Sequence, residues 1–245
     1  MPGVLEEVVG TSIFIKTWKN GLEWLKYCLA SIRKYCSGFD EIVIAADAGC
    51  ADEVRAFSPD AVVEPVEEWP NGYIQQQWFK LNADKYVNSE YILFVDSDTI
   101  FHTHVTPETF FRDGNPVFLR TRYADLGDSR VARLAQKWRG ITESYVGWDV
   151  PWEYMRRIPI IVRSSTLKEI REMIPDLEQR LRSIDKHQFS EFNVIGAFID
   201  KKESDKYFMT NTLEWDPPLV AEHFWSYSGL TAEERTRIEG YLNAG

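Results

Sequence analysis

Short apolar runs alternate with amphipathic stretches through the first hundred positions of the chain. Ser12–Thr17 is predicted as a strand, and Gly21–Cys36 follows with Leu22, Leu25, Leu29 and Ile32 at helical spacing. A second apolar run, Glu41–Ala46, ends at Asp47-Ala48-Gly49 and leads into a short helix over Ala51–Phe57. A third, Ala61–Val66, precedes the irregular stretch Trp69-Pro70-Asn71-Gly72. Tyr73–Tyr86 then reads as a helix and Tyr91–Val95 as a fourth, fully apolar strand. Strands and helices alternating in this way predict an α/β fold with a mostly parallel central sheet covered by helices on both faces. Ligands of such sheets bind beyond the carboxyl ends of the strands, and Asp47 and Asp96 both fall there.

The second half is less regular. Asn115–Arg122 and Pro159–Arg163 read as strands, Asp128–Arg139 as a helix, and Ser165–Ile184 as helical apart from Pro175. Thr231–Leu242 reads as an amphipathic helix packed on the body. No repeat, linker or low-complexity tract divides the chain, so residues 1–245 are expected to form one domain.

Composition narrows the class. A chain of 245 residues with 44% hydrophobic positions suits a globular protein with a substantial core. The formal charge of −10 argues against nucleic acid or anionic lipid as the main partner, and a phosphate ligand would need a cation recruited by acidic side chains. The nine tryptophans suit core filling first and stacking on sugars or bases second. Cys28, Cys36 and Cys50 lack paired metal-ligand spacing and read as reduced, buried thiols of a cytoplasmic chain. The start, Met1–Gly10, has no basic and apolar leader pattern, and no run approaches the ~20 apolar residues of a membrane span.

The sharpest chemical signal is Tyr91-Ile92-Leu93-Phe94-Val95-Asp96-Ser97-Asp98-Thr99, a buried strand ending in two carboxylates one residue apart. Neighbouring acids repel, and a cation placed between them and a phosphate removes that cost; oxygen ligands of this kind suit Mn²⁺ or Mg²⁺. A plain turn closing the strand would use the same residues. On the preceding helix, Gln76 and Lys80 stand four apart and share a face, offering an amide and an ammonium to one ligand.

The position of this Asp-x-Asp segment resembles that of the GT-A glycosyltransferases, in a single Rossmann-like domain. The helix Gly72-Tyr73-Ile74-Gln75-Gln76-Gln77-Trp78-Phe79-Lys80-Leu81 is similar to a Gly-Tyr/Trp-x-x-Gln-Gln-x-x-Lys-Leu helix in one branch of them. Ser190-Glu191-Phe192-Asn193-Val194-Ile195-Gly196 resembles that branch's Ser-Glu-Tyr-x-x-Tyr-Gly segment, with Phe192 and Ile195 at the two aromatic positions. The resemblance implies a nucleotide-binding half over 1–100, an acceptor-binding half over 101–245, and a nucleotide-diphosphate sugar as donor. It further implies that Asp98 binds the metal directly, and that Asp96 reaches the ribose or the metal. Asp47, Gln76, Gln77 and Lys80 would hold the nucleotide, and His223 would be the third metal ligand. Glu191 is then the candidate catalytic base or acceptor clamp, although Ser190-Glu191-Phe192 also suits the start of a helix. Trp148, Asp149 and Trp152 form a candidate acceptor loop, with Arg120 and Arg122 alternating on a nearby strand.

Three other functions compete. A haloacid-dehalogenase-like phosphatase would use Asp96 as nucleophile, but position 100 is Ile and the motif does not lie on the first strand. A nucleotidyltransferase is expected to open with a Gly-rich phosphate loop, which Thr11–Asn20 lacks. A non-catalytic sugar-binding module would need neither donor nor metal. His102-x-His104 has zinc-like geometry without further Cys or His nearby in the sequence.

Overall fold

The computed structural model describes residues 10–226 and 229–244, so most of the amino-terminal stretch read for a leader lies outside the described residues. The amino-terminal half gives β1 (Thr11–Thr17), α1 (Leu22–Tyr35), β2 (Ile42–Asp47), α2 (Ala51–Phe57), β3 (Val62–Val66), α3 (Gly72–Lys80), β4 (Tyr91–Phe94) and β5 (Thr99–Phe101). It is followed by β6 (Phe111–Arg112), β7 (Asn115–Arg122), α4 (Arg130–Val146), β8 (Trp152–Glu153), β9 (Ile160–Arg163), α5 (Ser164–Met173) and α6 (Leu177–Arg182). The last elements are α7 (Glu191–Lys202), β10 (Phe208–Asn211), β11 (Ala221–His223) and α8 (Ala232–Asn243).

The main sheet has the order β3-β2-β1-β4-β9, parallel throughout except for the edge strand β9. Because successive strand residues face opposite ways, each strand feeds two cores. Phe14, Val43, Ala45, Ile92 and Phe94 pack with Ile74, Phe79 and Phe192 of α3 and α7. Ile13, Ile15, Ile44, Ala46 and Leu93 pack with Leu25, Leu29 and Ile32 of α1 and with Val54 of α2. Burial on both faces explains why these strands read as continuous apolar runs. Among the described residues no helix is long and apolar enough to cross a membrane.

A smaller sheet, β10-β7-β6 with β8 on β7, and the antiparallel pair β5–β11 flank the main sheet. The β5–β11 register sets His223 opposite Thr99, immediately after the second aspartate of the Asp-x-Asp turn.

Some elements differ from the expectation. The predicted Tyr73–Tyr86 helix stops at Lys80, where Asn82 donates to the Trp78 carbonyl and Arg171 to the Leu81 carbonyl, satisfying acceptors that a longer helix would have used. Ser165–Ile184 divides into α5 and α6 because Pro175 donates no N–H and holds Ile174 out of helical geometry (φ −122°, ψ 74°). The helix predicted over Asp128–Arg139 starts at Arg130, where the Ser129 side chain accepts from the Ala132 N–H, and runs on to Val146. It ends at Gly147, whose φ of 82° closes the last turn.

Candidate functional site

β4 delivers the Asp-x-Asp segment to the carboxyl edge of the sheet, and a turn closed by the Thr99 N–H donating to the Asp96 carbonyl (3.0 Å) follows it. The chain after β11 clamps that turn: Phe224 N–H donates to the Asp98 carbonyl (2.9 Å) and Ser226 N–H to Asp98 Oδ2 (3.0 Å). His223 Nε2 thereby stands 3.1 Å from Asp98 Oδ1 and 3.7 Å from Asp96 Oδ2. The Trp225 ring stacks on the imidazole at 5.5 Å. One ligand atom each from Asp96, Asp98 and His223 lies within 4.8 Å of the others. Two carboxylates and an imidazole are a donor set that would fit Mn²⁺ or Mg²⁺.

Lys80 braces the other side. Its ammonium is 2.7 Å from Asp96 Oδ1 and 3.0 Å from Glu191 Oε1, with the Phe192 ring 4.8 Å away. Burial alone would lower the Lys80 pKa, but Asp96 and Glu191 outweigh it and hold the ammonium well above its ordinary range. Burial alone would raise the Asp96 carboxyl; Lys80 and His223 reverse that, so it stays ionised. His223 is likewise shifted down by burial, and the Asp98 hydrogen bond with the two carboxylate charges carries it above the usual imidazole value. Gln77 completes the brace, its Oε1 accepting from the Glu191 N–H at 3.1 Å.

Six of the residues singled out in the sequence therefore meet: Gln77, Lys80, Asp96, Asp98, Glu191 and His223. Gln76 does not join them; it is half-buried and its side chain makes no hydrogen bond among the described residues. Asp47 belongs to a neighbouring cluster at the ends of β1 and β2, where its Oδ1 accepts from Lys16 Nζ (2.6 Å) and Gln75 Nε2 (2.9 Å). Gln75 also donates to the Glu67 carbonyl at 2.6 Å. Sequence reasoning missed Lys16 and Gln75, yet a lysine inside the apolar run Ser12–Thr17 is itself a signal, since a buried ammonium requires a carboxylate partner.

The loop singled out as a candidate for the acceptor lies apart from this cluster. Trp148 and Asp149 line a hollow of about 170 Å³ with Tyr154, Ala197, Asp200 and Lys201. That hollow sits beside the far end of α7, the helix whose first residue is Glu191. Asp149 pairs with Arg139 at 2.6 Å, and Arg120 and Arg122 stack on the Trp152 ring at 4.2 and 4.5 Å. His102 and His104 turn to different rings, those of Tyr241 and Tyr35. The three cysteines are free thiols, with Cys28 and Cys50 buried and Cys36 half-buried.

No protein-family model matches the sequence, and no curated protein matches it. Solved structures do. The galactosyltransferase LgtC in complex with donor and acceptor sugar analogs superposes with a TM-score of 0.55 at 13% identity, over 96% of this chain and 97% of that one. The glycosyltransferase GlyE of Streptococcus pneumoniae TIGR4 gives 0.52 at 11% identity, over 97% of this chain, which spans 61% of GlyE. The chain has the GT-A fold. At these identities the likeness is one of fold. A 4-diphosphocytidyl-2C-methyl-D-erythritol synthase from Anaerococcus prevotii DSM 20548 matches equally well, with a TM-score of 0.52 at 14% identity over 97% of this chain and all of that one. The same fold thus serves enzymes of different reactions, and it does not by itself choose among them.

Proposed function

We propose that this chain is a metal-dependent glycosyltransferase that moves a sugar from a nucleoside-diphosphate sugar to a hydroxyl of a saccharide acceptor. The observation that carries the proposal is the convergence of Asp96, Asp98 and His223 within 4.8 Å at the carboxyl edge of the sheet, with the Lys80–Glu191 pair beside them. When bound, Mn²⁺ or Mg²⁺ would be held by Asp98, His223 and Asp96 and would neutralise charge on the departing diphosphate. Lys80 supplies a fixed positive charge beside that path, and burial in a dry pocket strengthens its effect. Asp47, kept in place by Lys16 and Gln75, would in this reading contact the nucleoside end of the donor.

The acceptor oxygen bonds to the anomeric carbon as the bond from that carbon to the phosphate oxygen breaks, and the bonding pair leaves with the diphosphate. Glu191 is the proposed base for the acceptor proton. Its Oε1 is engaged by Lys80, whereas Oε2 makes no hydrogen bond among the described residues. Two observations weigh against the rival enzymes. Both oxygens of Asp96 face cationic side chains, which suits a ligand better than an aspartyl nucleophile. The β1–α1 connection has glycine only at Gly21, with no cradle of the kind a nucleotidyltransferase builds around a triphosphate.

Donor hydrolysis and transfer, assayed over a panel of nucleotide sugars with Mn²⁺, test the proposal. Asp98→Ala is expected to abolish metal-dependent turnover with the fold intact; turnover at the wild-type rate in that variant would sink the reading. Glu191→Gln separates a base, which should cost about 10²–10⁴-fold in kcat, from a bracing group, which should cost little.

A further inference from the structure

A stripe on α3 leads away from the charged cluster. Tyr73, Gln77 and Lys80 stand at i, i+4 and i+7 and so share one face of the helix. Burial pushes the Tyr73 hydroxyl up, with Glu191 and Asp96 adding to the effect and Lys80 opposing it. The Tyr73 ring then meets the imidazole of His187 at 4.9 Å between centroids, and Trp138 of α4 meets the same imidazole at 6.3 Å. His187 is exposed and holds a left-handed backbone with φ of 68°, a conformation uncommon for a non-glycine residue.

An open recess of about 600 Å³ adjoins these rings, lined by Ile141, Ser144, Tyr145, Arg180, Ile184 and Gln188 among others. Trp138, Ile141 and Tyr145 recur at i, i+3 and i+7 along α4, and Ile184 and Gln188 bracket His187 in the chain. The rings therefore border the recess, and together they form one trough of a size usual for small-molecule sites. Its border is basic although the chain carries a net charge of −10. Lys186 Nζ stands 5.5 Å over the Tyr73 ring, and the Arg180 guanidinium 4.0 Å from the Tyr145 ring. Lys137 and Lys186 both act on the His187 imidazole, which burial and these two charges hold below its ordinary range. None of these three cations forms an ion pair among the described residues, whereas most other arginines near the site are paired.

We infer that this trough is the acceptor subsite and that it selects a saccharide bearing an anionic group, a carboxylate or a phosphate. The sugar ring stacks on Tyr73 and Trp138, and its charge faces Lys137, Lys186 and Arg180. The inference rests on the glycosyltransferase reading above. Unlike the hollow at Trp148 and Asp149, the trough is bordered by Tyr73, which shares one face of α3 with Gln77 and Lys80.

The test is a tryptophan-fluorescence titration of the full chain with three probes: a hexuronic acid, a hexose phosphate and a neutral hexose. Both charged sugars are expected to bind about tenfold more tightly than the neutral one, with a preference that shrinks as salt is raised. Lys137→Ala with Lys186→Ala should erase that preference, and Trp138→Phe should remove most of the fluorescence change. The thermal shift given by a nucleoside diphosphate with Mn²⁺ should be unaltered in these surface variants. Equal binding of charged and neutral sugars, a preference that survives the double lysine variant, or no sugar binding in protein that still binds the nucleotide overturns the subsite alone. Absence of nucleotide binding in the wild type removes the donor reading and the subsite with it.

Discussion

Lys80 is the residue on which the charged cluster balances. It is buried between Asp96 and Glu191, and removing one partner of a buried ion pair leaves the other charge without compensation. Lys80→Met is therefore expected to cost about 3 kcal/mol of stability in urea denaturation, near the lower end for such pairs. Adding Glu191→Gln relieves part of the carboxylate repulsion, so the double variant should lose less than the two single losses combined. Strict additivity would mean that the three groups do not share one balance. At this scale the sequence was partly legible. Two acids closing an apolar strand identify themselves, since nothing but a ligand or a turn calls for them there. The glutamines were harder: Gln76 and Gln77 lie four and three residues before Lys80, and either spacing puts an amide near its face. Only the phase of the helix, set by which side packs on the core, turns Gln77 to Glu191 and Gln75 to Asp47.

Among the elements, α7 matters most to the site because its first residue is Glu191. It packs so closely that Gly196 has no room for a side chain: a Cβ there would lie 2.2 Å from Cγ of Tyr154. Tyr154 cannot easily retreat, being held by its N–H on Asn193 Oδ1 (2.9 Å) and its hydroxyl on Asp200 Oδ2 (2.8 Å). Gly196→Ala is expected to lose roughly 1–3 kcal/mol through overpacking, despite the better helix propensity of alanine. Chemical denaturation measures this, and a variant as stable as the wild type would refute the packing account. The same closeness explains why α7 did not stand out as a periodic segment. Residues Glu191 to Ile199 are all buried, and a helix buried on every side has no amphipathic period to read. The short strands β5 and β11 escaped for another reason, since each is three residues long and exists through pairing with a partner distant in the chain. The strands of the main sheet were legible because burial on both faces writes a continuous apolar run into the sequence.

At the scale of the whole molecule the question is what the sheet edge does with its charge. Lys80 meets Asp96 and Glu191 while His223 meets Asp98, so three carboxylates face one ammonium and one imidazole, and the cluster keeps a surplus of negative charge that a protonated His223 reduces but does not cancel. A divalent cation cancels that surplus, and a diphosphate added afterwards meets a site no longer repulsive to it. Mn²⁺ and a nucleoside diphosphate should therefore stabilise the protein together far more than either does alone. At a hundred times its dissociation constant such a ligand adds about 2.7 kcal/mol, which for a chain of this size raises the melting temperature by roughly 5–10 °C. Asp98→Ala and His223→Ala should each shrink the joint shift, and a chelator should reverse it in the wild type. The nucleotide that gives the largest shift would also name the base that Asp47 reads. A nucleotide shift of the same size with and without metal would instead mean that Lys80 alone holds the phosphates, leaving the Asp96, Asp98 and His223 triad without its proposed task.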